Sequence, residues 1–181
     1  MSKQKKAGLA PKQADPARVR RTAWLMTAVL VVAVFVTFFP VLRHEFVNWD
    51  DDVNVYENPN INSLTADNLS RIFTTPVIGN YNPLPILTFA IEKQVFGLDP
   101  LIYHFDNLLL HILNTLLVFL LARALGLKLP GAFLLALLFG IHPMRVESVA
   151  WVTERKDVLF GLFTIGAMLF YTKWLDSKKG K

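Results

Sequence analysis

The chain has 181 residues, of which 53% are hydrophobic and 18% charged, with 14 Phe and no Cys. A soluble domain is usually nearer a quarter charged, and here the apolar residues gather in blocks. The composition therefore excludes an ordinary soluble globular protein, and the missing Cys excludes disulfides and thiolate metal sites. The net charge of +5 lies at the ends of the apolar blocks, where it signals topology and anionic-lipid contact, with no nucleic-acid partner.

Residues 1–21 are polar and basic and lack the periodicity needed to bury a face, which predicts a disordered cytoplasmic tail. Residues 22–42 carry no formal charge. As a helix at ~1.5 Å per residue they reach roughly 30 Å, enough for a first transmembrane helix. Phe38-Phe39-Pro40-Val41-Leu42-Arg43 offers no small-x-small cleavage site, so the span is expected to stay uncleaved.

Residues 43–98 form a polar loop. It opens with Phe46-Val47-Asn48-Trp49-Asp50-Asp51-Asp52-Val53, three consecutive carboxylates beside a tryptophan. Mutual repulsion makes such a triplet tolerable where water, a metal ion or a cationic ligand is near. Its alternative is a solvated turn. Ser63 or Thr65 can cap a short helix with Leu69, Ile72 and Phe73 on one stripe. Beyond Tyr81-Asn82-Pro83-Leu84-Pro85 a second amphipathic helix runs from about Ile86 to Phe96 and ends at Gly97.

Residues 99–125 are the second span, with His104, Asn107, His111 and Asn114 on one helix face. Polar groups facing lipid are costly, so this face should look into a helix bundle or a watery cavity. Residues 129–141 are a third apolar run of marginal length, tilted or partly re-entrant. The second polar loop, residues 142–157, contains His142, Arg145, Glu147, Trp151, Glu154, Arg155, Lys156 and Asp157. If Val146 to Glu154 is helical, Glu147, Trp151 and Glu154 share a face. Residues 158–175 make a fourth span, and residues 176–181 a cytoplasmic tail.

With four spans, both ends and the turn between Arg123 and Lys128 share one side, which holds most of the Lys and Arg residues and should be cytoplasmic. The two acidic loops then fall together on the outer side, periplasmic in a bacterium or lumenal in a eukaryote. The fold class expected is all-α integral membrane, with about four transmembrane helices and two interfacial amphipathic helices in the first exterior loop.

Three ordered motifs carry a resemblance. Trp49 to Pro59 is similar to the first-loop acidic motif of the C-type glycosyltransferase superfamily. Tyr81-Asn82-Pro83-Leu84-Pro85-Ile86-Leu87-Thr88-Phe89 resembles a segment of the transmembrane O-mannosyltransferases that carry tetratricopeptide repeats. His142-Pro143, Glu147-Ser148-Val149-Ala150 and Arg155-Lys156-Asp157 resemble that family's second-loop segment. The resemblance implies a membrane glycosyltransferase, or its amino-terminal portion. It would move a sugar from a polyprenyl-phosphate donor to an exterior protein or glycan acceptor at a bacterial inner membrane.

In this reading Asp51 or Asp52 is the general base, with Asp50 the third candidate catalytic residue. A divalent metal ion could bind Asp51 and Asp52. Arg155, Lys156 and His142 are candidates for the donor phosphate, although His142 could instead brace its loop. Glu147, Tyr81 and Asp157 stand behind the reacting groups or on the acceptor side; Glu147 could equally pair with Arg145 or Arg155. Members of the family are several times longer, so the expected partners include a carboxyl-terminal portion of the same protein along with membrane lipid. The competing functions are a non-catalytic membrane scaffold and a small transporter using the polar face of the second span.

Overall fold

A computed structural model describes residues 15–179 of the chain, and these form an all-helical membrane protein. The first helix, α1 (Pro16–Phe38), continues through a tight turn at Phe39–Arg43, giving a helical stretch of 28 residues long and apolar enough to span. It starts earlier than residue 22 for a local reason. Asp15 caps it by accepting from Ala17 N at 3.0 Å, and Pro16 occupies the first position, where a missing N–H costs nothing. Of the expected disordered tail, residues 16–21 are therefore helical, and residues 1–14 lie outside the described residues. Leu30, Val34 and Phe38 recur every four residues and are buried, so α1 shows the bundle one narrow stripe.

The first loop folds into a cap. Asp52–Tyr56 makes one wide turn, α2 (Ala66–Thr74) follows, and α3 (Pro83–Phe96) ends at Gly97 with φ +76°. Thr65 caps α2 by accepting from Asn68 N at 3.3 Å, while Ser63 holds the Asn68 side-chain amide at 2.8 Å. Val55, Ile61, Ile72, Ile86, Phe89 and Ala90 pack with Tyr103 and Val152 into one apolar cluster. The cap is thus built onto the membrane helices and does not hang from them.

Helix α4 (Pro100–Ala124) is the hub, packing against α1, α3, α5 (Leu129–Gly140), α6 (Val146–Ala150) and α7 (Arg155–Lys179). At 12 residues α5 is about 18 Å long. It joins the Pro143–Ala150 segment through a 53° bend, as a broken span or a re-entrant loop. Gly140 ends it where a Cβ would meet Val34 Cγ2 at 2.7 Å and Thr115 at 2.9 Å, so only a glycine lets α5 close on α1 and α4.

The expected helix from Val146 to Glu154 is not continuous. Trp151 is extended (φ −95°, ψ 120°), and a single tight turn covers Val152–Glu154, so Glu147, Trp151 and Glu154 do not share a helix face. The cause is tertiary competition. Asn107 donates Nδ2 to the carbonyls of Trp151 and Val152 at 3.0 and 3.4 Å, and Thr153 N is bound by Asp51. Helix α7 then starts at Arg155, ahead of the expected residue 158.

Candidate functional site

The two polar loops meet at one end of the bundle. Asp51 is 1% exposed, and its Oδ1 accepts from Thr153 N at 3.0 Å and Thr153 Oγ1 at 2.5 Å. Its Oδ2 accepts from Val47 N at 3.0 Å. Three donors aimed at one carboxylate fix its position. Asp51 is thereby a buried tie between the first loop and the start of α7.

Its neighbours fan outward, as successive residues in a helical turn must. Asp52 is half-buried and accepts from Val53 N at 2.8 Å. Asp50 is also half-buried, and among the described residues its carboxylate has no hydrogen-bond or ion-pair partner. Trp49 beside it is 74% exposed. Both Asp51 oxygens are committed to N–H and O–H donors, and no three His, Asp or Glu side chains gather as a ligand set among the described residues. The Asp51–Asp52 pair does not fit a metal ion.

Arg155 lies inside the protein, at 0% exposure. Its Nε donates to Asn107 Oδ1 at 2.8 Å, Nη1 to Thr88 Oγ1 at 3.0 Å and Glu92 Oε1 at 2.5 Å, and Nη2 to the Tyr103 carbonyl at 2.7 Å. The guanidinium also covers the Phe89 ring at 4.5 Å. One side chain thus bolts α3, α4 and α7 together and keeps no face for a phosphate.

The next residue behaves differently. Lys156 is half-exposed and pairs with Glu154 at 2.6 Å. With Asp157 it stands at a groove of about 500 Å³ between the start of α3 and the start of α7. Tyr81 and Asn82 complete the polar side, and Leu84, Leu159, Phe160 and Phe163 form the apolar side. Tyr81 is held by its hydroxyl donating to the Phe73 carbonyl at 2.8 Å. Asp157 Oδ2 accepts from Ser148 Oγ at 3.1 Å.

His142 and Glu147 are exposed. His142 Nδ1 accepts from Met144 N at 3.2 Å, bracing its own turn. Glu147 makes no ion pair among the described residues, with Arg145, Arg155 or any other group.

The polar face of α4 is buried along its length. Asn107 holds Arg155 and the Trp151 carbonyl, His111 Nε2 donates to Gly140 O at 2.9 Å, and Asn114 Nδ2 to Val158 O at 2.8 Å. These residues fasten α5 and α7 to the hub. Thr88, Glu92 and Thr153 were not singled out from the sequence as members of this arrangement. The i, i+4 spacing of Thr88 and Glu92, which puts both on one face of α3, was the available signal.

Burial pushes the Glu92 carboxyl up to about 8, reinforced by Asp106 and opposed by Arg155. Its unfolded value is 4.5. Between the two the folded protein holds a proton that the unfolded chain has released, so stability falls as pH rises across this window and levels off above it. Melting temperature in detergent should drop from about pH 5 to about pH 8, and Glu92→Gln should flatten the profile. An unchanged slope in that variant would assign the dependence to another group.

No family profile matches this chain, and no solved structure does. Curated proteins do. The protein O-mannosyl-transferase TMTC1 of Homo sapiens is 32% identical over 146 residues, which are 75% of this chain and 16% of that protein. The Tmtc1 protein O-mannosyl-transferase of Drosophila melanogaster is 32% identical over 153 residues, 80% of this chain and 18% of the relative. TMTC3 of Mus musculus is 35% identical over 94 residues, 52% of this chain and 10% of the relative. The chain therefore spans less than a fifth of the length of each of these relatives.

Proposed function

From homology to protein O-mannosyl-transferases over three quarters of this chain, we propose that it is the donor-binding part of a membrane glycosyltransferase working on a polyprenyl-phosphate-linked hexose. The observation that carries the proposal is the groove of about 500 Å³, polar at Lys156, Asp157, Tyr81 and Asn82 and apolar at Leu84, Leu159, Phe160 and Phe163. A lipid phosphate has the same division, an anionic head on a hydrocarbon chain. Lys156 spends one interaction on Glu154 and keeps N–H donors for a phosphate oxygen. Arg155 is a positioning residue in this reading, since it holds the start of α7 that presents Lys156.

On the acceptor side the free carboxylate of Asp50 is the general base. It takes the proton of an acceptor hydroxyl as that oxygen bonds to the anomeric carbon, and the bond from that carbon to the phosphate oxygen breaks. The lipid phosphate leaves with the bonding pair. Asp51 positions Asp50 through its tie to Thr153. No step runs through a metal. Arg18, Arg20, Arg21, Arg123 and Lys128 flank the ends of α1, α4 and α5 away from the two polar loops, so the loop end faces outward, toward the periplasm of a bacterial inner membrane and an exterior protein or glycan acceptor.

The test is donor binding by the chain in nanodiscs. Polyprenyl-phosphate mannose should bind the wild type, and Lys156→Gln should weaken it about 10-fold, the loss of one charge-assisted hydrogen bond. Binding that ignores the Lys156 substitution would remove the groove from the reading.

A further inference from the structure

A second space opens among α4, α5, α6 and α7, with a volume of about 350 Å³. A water molecule's share of liquid volume is about 30 Å³, so one or two ordered waters do not fill it. Its polar lining is His111, Asn114, Arg145, Ser148 and Asp157, and Phe139 and Phe160 give it aromatic walls. Asp157 and Phe160 also line the groove described above, so the two spaces share a wall.

Three groups here have bonding capacity left over. Asn114 is 2% exposed; its Nδ2 is used on Val158 O, yet its Oδ1 has no partner. The Arg145 side chain makes no hydrogen bond or ion pair among the described residues and lies 4.7 Å from the centre of the Phe139 ring. Asp157 has one oxygen on Ser148 and a second oxygen free.

Asn114 Oδ1 and Asp157 ask for donors, and Arg145 offers donors. A phosphate has acceptors to give and would face an amide oxygen and a carboxylate. A cation would face Arg145. Hydroxyl groups donate and accept at once, and the C–H face of a sugar ring packs on aromatic side chains. We propose that this cavity binds the neutral hexosyl ring of the lipid-linked donor, with the phosphate in the adjoining groove. The assignment rests on the groove reading and supplies its sugar subsite: Arg145 and Asn114 engage ring hydroxyls, and Asp157 sits between sugar and phosphate.

The experiment compares two probes, polyprenyl-phosphate mannose and bare polyprenyl phosphate, on the full chain in nanodiscs. In the wild type the mannosyl lipid should bind about tenfold tighter or more, the worth of one or two well-made hydrogen bonds. Arg145→Met and Asn114→Leu should each erase that advantage and leave the affinity for bare polyprenyl phosphate unchanged, whereas Lys156→Gln should weaken both lipids alike. Arg145 has no bonded partner to lose, so its variant keeps the fold if Asn114→Leu does not. An advantage that survives Arg145→Met, or an equal loss for both lipids, overturns the sugar subsite and leaves the groove standing. Failure of either lipid to bind the wild type overturns the groove, and the subsite with it.

Discussion

Arg155→Ala is expected to be the most destabilising single change in the chain, costing about 3–5 kcal/mol, because it leaves four buried acceptors without their shared donor. Glu92 is 3% exposed, and Asn107, Thr88 and the Tyr103 carbonyl lose a donor in the same step. Arg155→Lys should recover little. An ammonium has three donors on a point charge, and it cannot reach four acceptors on two helices with the geometry of a planar fork. Arg155→Met combined with Glu92→Gln should be more stable than Arg155→Ala, since Met refills the space that Ala leaves empty. Melting temperatures in detergent decide the matter. If Arg155→Ala melts like the wild type while losing only lipid binding, the side chain belongs to the donor phosphate, and its structural role as described is wrong.

The second large effect falls on turnover. Asp50→Asn should reduce mannosyl transfer by about 10²–10⁴-fold, the usual worth of a positioned general base, with the melting temperature unchanged because Asp50 holds nothing in place. Asp51→Asn should behave differently. An amide places an N–H against the N–H of Val47 or Thr153, so stability and transfer should fall together. Transfer assayed with a membrane-reconstituted enzyme carrying each variant separates the two roles. If Asp50→Asn transfers normally and Asp52→Asn does not, the base is Asp52.

The parts of this architecture legible in the sequence are those written in short-range periodicity. The blocks of apolar residues mark the spans, and the recurrence of His104, Asn107, His111 and Asn114 marks the inward face of α4, because a polar residue in lipid has few tolerable places. The Thr65 cap and the Gly97 stop were local too. What could not be read were partners far apart in the chain. Asp51 and Thr153 are 102 residues apart, and Arg155 and Thr88 are 67 apart. Nothing near Asp51 distinguishes a buried carboxylate from its two outward neighbours. Arg155 and Lys156 likewise look alike in sequence, although one is sealed in the bundle and the other stands at the groove. The break at Trp151 lacks any Gly or Pro signal, because the Asn107 amide that captures the carbonyls comes from another helix.

Helix α5, at about 18 Å, is far short of a hydrocarbon layer of roughly 30 Å. Either the bent Pro143–Ala150 segment completes the crossing as a broken span, or lipid beside α5 thins, or the chain dips in and turns back; in the last two arrangements headgroups and water are drawn down along this flank. In the proposed reading, a long-chain phosphate diffusing in the leaflet would meet a dimple there, its polar end lowered and still hydrated as it reaches the groove.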